Sequence, residues 1–258
     1  MEETENSFYI DFHTHLDFYK NEDELFFQLK NFSGVIISAS SDEKSFEKNL
    51  EIQKKNSLSK TNSKIVTGFG IHPMNVGFFD EKKIFLYENL CSASKIIGEI
   101  GMDFCWYDKA GKEKQEEVLR FFLEHCNKTK KFCVIHTKNA EEKICRILED
   151  YPFAKPIIHW YDGPRDLFEE FLHRGSYFTF GCETARSVKI QQLLKICPKE
   201  RILAETDNPD SELWLGGSDS SIFLIKRIYS DIAKVLCISE NEAVSLINEN
   251  SKRILETL

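Results

Sequence analysis

A chain of 258 residues with 41% hydrophobic content can build one sizeable core, and α/β barrels reach this length as single domains. Its formal net charge of −8 excludes a protein that coats duplex nucleic acid by neutralising phosphates. An enzyme that meets a few phosphates at a metal centre is not excluded, because bound ions supply the local positive charge.

The first element reads as a strand over residues 9–15, and its alternation sends His13 and His15 out of the same face. A helix over 22–30 follows, then a continuous apolar strand over 34–39 and an amphipathic stretch over 42–55. The third strand, 65–70, leads into His72; a helix over 81–90 precedes the fourth strand, 96–100, which carries Glu99. Helix then strand repeats through 112–130 and 132–136, 140–149 and 156–159, 165–174 and 177–180, and 187–196 and 202–205. A Gly- and Asp-rich loop over 208–219 leads to two last helices, 221–236 and 240–255.

Eight apolar strands alternating with helices predict a single (β/α)8 TIM-type barrel over residues 1–258, with an extra C-terminal helix. No linker, repeat or low-complexity segment divides it. Eight cysteines without a CxxC pair, an acidic polar start and no apolar run of membrane-spanning length predict a reduced, cytoplasmic protein. No membrane association and no obligate protein partner are expected.

In such a barrel the active site is built at the C-terminal ends of the strands. Five of the seven histidines (His13, His15, His72, His136 and His159) lie at predicted strand ends, while His125 and His173 fall in helices. A lone histidine at a barrel rim is more often a hydrogen-bonded polar group, but the set as a whole reads as a metal site. Four imidazoles with the carboxylates of Glu99 and Asp207 exceed what one four-coordinate zinc uses. Two ions about 3.5–4 Å apart would use them all, with Glu99, midway round the barrel, as the bridge. Water at such a centre loses a proton readily and can attack phosphorus or a carbonyl carbon. Asp207 can hold an ion and also orient, or take a proton from, that water. Glu205, two residues before Asp207 on the same face, reads either as a support for that ligand or as a paired carboxylate of the barrel interior, and Asp11, two residues before His13, reads as a structural carboxylate.

The segments 11–17, 70–73, 97–103, 134–136, 158–159 and 203–209 resemble, in order, the successive signatures of the TatD-type metal-dependent deoxyribonucleases. Asn250 resembles the family's C-terminal helix, so the similarity spans nearly the whole chain. It implies a barrel with two divalent ions, one held by His13, His15, Glu99 and Asp207 and the other by Glu99, His136 and His159. It implies His72 beside the substrate phosphate, and hydrolysis of phosphodiesters, often with 3′-to-5′ exonuclease character on single-stranded DNA; the acidic balance in turn predicts that DNA ends are weakly bound. Histidine and carboxylate together suit zinc or manganese, with nickel possible and magnesium less comfortable.

The sequence departs from the family pattern around the ligands. Lys138 replaces an arginine and keeps its charge without the planar fork. Trp160 and Tyr161 follow His159, where they either stack on a base or pack the rim. Cys182 and Arg186 replace a lysine-bearing turn, and the 208–219 loop is altered. Lys138, Trp160 and Arg186 are thus candidate substrate contacts. The alternative is a metal-dependent amide or ester hydrolase, acting on a small amide or an acylated nucleotide or tRNA. Barrel amidohydrolases often bridge their ions with a carbamylated lysine; here the fourth strand offers Glu99, and Lys95 lies before it.

Overall fold

The computed structural model describes residues 8–257 except 60, 108 and 110. In chain order the strands are β1 (Tyr9–Thr14), β2 (Gly34–Ser38), β3 (Ser63–Thr67), β4 (Ile97–Asp103), β5 (Phe132–Lys138), β6 (Lys155–Ile158), β7 (Tyr177–Phe180) and β8 (Ile202–Ala204). The first five α-helices are α1 (Glu22–Asn31), α2 (Glu43–Leu58), α3 (Ile84–Ala93), α4 (Lys112–Thr129) and α5 (Glu141–Ile147). The remaining ones are α6 (Arg165–His173), α7 (Val188–Ile196), α8 (Ser211–Trp214), α9 (Leu224–Leu236) and α10 (Glu240–Leu255). The described residues fall into two compact units. The first takes those of Met1–Ser38, Leu50–Val66 and Thr179–Thr257, and the second takes Ala39–Asn49 and Thr67–Phe178.

Within the first unit, β1 pairs in parallel with β2, Ile10 beside Val35 and Asp11 beside Ile36, and β2 is followed by β3. The segment leaving β8 runs beside β1: Asp207 N–H donates to His13 O at 2.9 Å, and His15 N–H donates to Asn208 O at 2.9 Å. Glu205 N–H donates to Phe180 O at 3.2 Å, which sets β8 beside the end of β7. Tyr229 of α9 reaches β1, its hydroxyl accepting from Ile10 N–H at 3.1 Å, and its ring meets Tyr9 edge-on at 5.1 Å.

Within the second unit, β4, β5, β6 and the start of β7 pair in parallel. Gly98 N–H donates to Phe69 O at 2.8 Å, which joins the segment after β3 to β4. Phe69 packs against Phe46 and Phe122 with ring centroids 5.1 and 5.7 Å apart. All residues of β2, β4 and β5 are buried, as expected of strands covered on both faces. Gly101 of β4 has φ +151°, and a Cβ there would lie 2.1 Å from His136 O, so only glycine fits this approach to β5.

The expected elements are present, with shifted ends. β4 and β5 run longer than the apolar periodicity indicates, ending at the polar Asp103 and Lys138. β3 stops at Thr67, before Gly68, and Phe69 keeps a single parallel bridge to Ile97. The 81–90 helix is divided: a 3-10 turn over Glu81–Lys83, whose Lys82 N–H is capped by Asp80, hands over to α3. The 208–219 loop contains the single turn α8.

Asn250 is buried in α10 and donates through Nδ2 to Lys199 O at 2.6 Å and Ile202 O at 2.9 Å, which ties this helix to the start of β8. Asn250→Ala leaves both carbonyls without that donor, and urea titration is expected to read a loss of about 1–3 kcal/mol.

Candidate metal centre

The first unit brings two imidazoles to one carboxylate. His13 is fully buried within β1, and His15 stands just past its end. The Nε2 atoms of both lie 3.4 Å from Asp207 Oδ1. Asp207 has φ +49°, a left-handed conformation that aspartate tolerates better than most residues, and its N–H is bound to His13 O. Asp11 braces this arrangement as a structural residue: Oδ2 accepts from Thr206 Oγ1 at 2.6 Å, and Oδ1 from Thr206 N–H at 3.0 Å. Burial pushes the Asp11 carboxyl up to about 7, outweighing those hydrogen bonds.

The second unit gathers three imidazoles around Glu99, whose carboxylate is 1% exposed. Glu99 Oε1 lies 2.8 Å from His159 Nε2, 2.9 Å from His136 Nδ1 and 3.3 Å from His72 Nε2. His72, Glu99 and His136 each offer a ligand atom within 4.8 Å of the others. His136 and Glu99 lie within their strands, His159 follows β6 by one residue, and His72 caps the 3-10 turn Pro73–Phe78.

The hydrogen bonds separate the roles of these rings. His136 Nε2 lies 2.9 Å from Asp103 Oδ2, so its proton sits on Nε2 and the Nδ1 lone pair faces Glu99. Two imidazole nitrogens facing one buried carboxylate oxygen form a donor set that suits a cation. The donor set fits a divalent metal: tetrahedral zinc with Zn–N near 2.0–2.1 Å holds its ligand atoms about 3.3–3.4 Å apart. His136 Nδ1 and His159 Nε2 are 3.3 Å apart. His72 differs. Its Nδ1 accepts from Met74 N–H at 3.1 Å, which leaves the neutral ring's proton on Nε2 and makes that atom a donor.

Asp103 is a candidate site residue that periodicity missed. It is fully buried at the end of β4, and burial alone would raise its pKa; the contact with His136 and the N–H groups of Trp106 and Cys105 outweigh it and hold the carboxyl below its ordinary range. The signal was there in α4. Gln115 shares a buried stripe with Val118, Leu119, Phe122, Leu123 and Cys126, and a fully buried glutamine on such a face needs polar partners. Its partners are Asp103 N–H, Asp103 O and Tyr107 O.

The candidate substrate contacts divide. Lys138 is 8% exposed, with Nζ 3.0 Å from Asp162 Oδ2. Trp160 is buried and offers little ring surface to a base. Tyr161 packs among Phe168, Phe171 and Phe178 and donates its hydroxyl to Pro164 O, so it is a packing residue. Arg186 is engaged by Glu212 Oε2 at 2.8 Å and by Leu215 O at 3.3 Å, which fastens the altered loop. Cys182 is buried. Lys95 is exposed and precedes β4, away from the strand's C-terminal end, so Glu99 and not a modified lysine is the carboxylate of this strand.

The sequence profile of the family described as TatD related DNase matches residues 10–256. The chain belongs to this family. A Bacillus subtilis relative named an uncharacterized metal-dependent hydrolase, YabD, is 27% identical over 74% of this chain and 77% of its own length. A Shigella flexneri relative named 3′-5′ ssDNA/RNA exonuclease TatD is 25% identical over 62% of this chain and 64% of its own. The crystal structure of a hydrolase TatD family protein from Entamoeba histolytica matches with a TM-score of 0.81 at 21% identity, over 95% of this chain and 97% of that one. This likeness shows the fold: the succession of parallel strands is that of an α/β barrel of the TIM type.

Removing a carboxylate that orients a metal-bound histidine typically weakens metal binding about 10–100-fold. Asp103→Ala is expected to lower the affinity for zinc or manganese by that factor, read by calorimetric titration, while every candidate ligand stays in place.

Proposed function

We propose that this TatD family member is a two-metal phosphodiesterase that shortens single-stranded DNA from its 3′ end. The observation that carries the proposal is the convergence of His136 Nδ1 and His159 Nε2 on Glu99 Oε1, at 2.9 and 2.8 Å. His13, His15, Glu99 and Asp207 would hold one ion, and Glu99, His136 and His159 the other. The fold supports this assignment, since an α/β barrel builds its site from the C-terminal ends of its strands and these side chains stand at or near those ends. The family profile over 10–256 supports a single domain. The name of the Shigella relative supports the polarity and the single-stranded substrate. Zinc or manganese suits the donors best.

Divalent ions held there would acidify a water and neutralise charge developing on the phosphate. The chain's own groups do the rest. Asp207 orients the attacking water and accepts its proton. The water oxygen bonds to phosphorus, the P–O3′ bond breaks, and the proton taken by Asp207 passes to the departing O3′, so the shortened strand keeps a 3′-hydroxyl while a nucleoside 5′-monophosphate leaves. His72 Nε2–H donates to a non-bridging phosphate oxygen, and the Lys138 ammonium supplies a second positive contact. Trp160 and Arg186 enter as wall residues. Among the described residues no helix is long and apolar enough to cross a membrane. A cytoplasmic place belongs to the same proposal and rests on eight free cysteines.

The test is a 3′-truncation ladder. Metal-reconstituted protein with a 5′-labelled single-stranded oligonucleotide is expected to give stepwise shortening. EDTA should abolish it, and Asp207→Ala should slow it at least about 100-fold, the scale on which loss of one transition-state contact acts. No cleavage with zinc, manganese, nickel or magnesium would refute the nuclease assignment.

A further inference from the structure

The loop leaving β4 carries an indole that the reading above does not use. Trp106 is 59% exposed, whereas Trp160 is 9% exposed. Single exposed aromatic rings are ordinary, so exposure alone carries nothing. The surroundings of Trp106 are not ordinary.

Its backbone N–H donates to Asp103 Oδ1 at 2.7 Å, the carboxylate whose other oxygen faces His136 Nε2. On either side of the indole, Gln115 Nε2 donates to Asp103 O at 3.0 Å and to Tyr107 O at 2.8 Å. The loop is therefore fastened before and after Trp106, and its geometry is tied to that of a metal-ligand candidate. A cation lies over one face of the ring: Lys138 Nζ, 5.5 Å from the ring centroid and itself 3.0 Å from Asp162 Oδ2, which leaves the other face for a base. Lys138 lies two residues beyond His136 on β5, so both side chains leave the same face.

We propose that Trp106 is the platform on which a base of the single-stranded substrate stacks, with Lys138 beside the ring as its cationic support. The inference rests on the phosphodiesterase reading and names how the strand is held. A fixed aromatic ring loses little conformational freedom on binding, and a base of any identity has a π-face to offer. With 42 acidic against 34 basic side chains, the overall charge balance disfavours the strand, and stacking adds a contact that does not depend on charge.

The test compares the wild type, Trp106→Ala and Trp106→Phe in the metal-loaded protein. With a single-stranded oligonucleotide, Trp106→Ala is expected to raise KM about 5- to 100-fold, with Trp106→Phe recovering most of the loss. A strand whose terminal residues are abasic should show no such difference between wild type and Trp106→Ala. In metal-free protein, the oligonucleotide should quench indole fluorescence, and Trp106→Phe should remove that quenching. An unchanged KM, or an equal rise on abasic and base-bearing strands, overturns the platform. Quenching by a strand that is never cleaved keeps the platform and refutes the phosphodiesterase. Cleavage with neither quenching nor a KM effect does the reverse.

Discussion

Two imidazole nitrogens and a third N–H donor face a single carboxylate oxygen, Glu99 Oε1, which lies almost wholly out of water. A buried carboxylate without positive charge nearby is costly, and neutral rings presenting lone pairs to it do not relieve that cost. A divalent ion does. The surrounding polar contacts serve this arrangement: Asp103 fixes the tautomer of His136, Gln115 holds Asp103, and Met74 N–H turns His72 into a donor. The same physical logic is repeated in the first unit, where Thr206 and Asp11 steady the segment that carries Asp207.

Much of this was legible because barrel strands are apolar on both faces and interrupted only where chemistry needs it. The histidines at the ends of apolar runs stood out for that reason: His13 lies in β1, His136 in β5 and His159 directly after β6. What stayed hidden obeys a different rule. Asp103 is one of 42 acidic residues, and nothing local separates it from a solvated carboxylate; only its pairing with His136, 33 positions away, does so. Gln115 could have been flagged from the stripe it interrupts, but its partners lie across a loop. The two tryptophans differ in exposure for a similar reason. Trp160 follows a ligand directly and drew attention, yet its backbone turns it inward, with φ +41°. Trp106 stands seven residues after Glu99 and is carried outward by a loop whose shape no periodicity encodes.

The acidic balance and the altered rim belong together. Lys138 meets Asp162, and Arg186 meets Glu212, so both basic candidates for substrate contact already have carboxylate partners. Phosphate contacts are therefore few, and the divalent centre with a stacking surface accounts for binding better than a basic groove would. For the phosphodiesterase proposed above, such an arrangement would bind weakly, tolerate any base and act at an end, which suits stepwise removal of nucleotides.

The central claim is that Glu99 is shared between two ions, and metal content tests it most directly. Purified wild type, Glu99→Ala and His72→Ala would be saturated with zinc or manganese, desalted and analysed by mass spectrometry for metal per chain. The predicted result is two ions in the wild type, loss of both in Glu99→Ala, and retention of both in His72→Ala, whose ring is a donor. A single ion in the wild type, or equal loss in both variants, would contradict it.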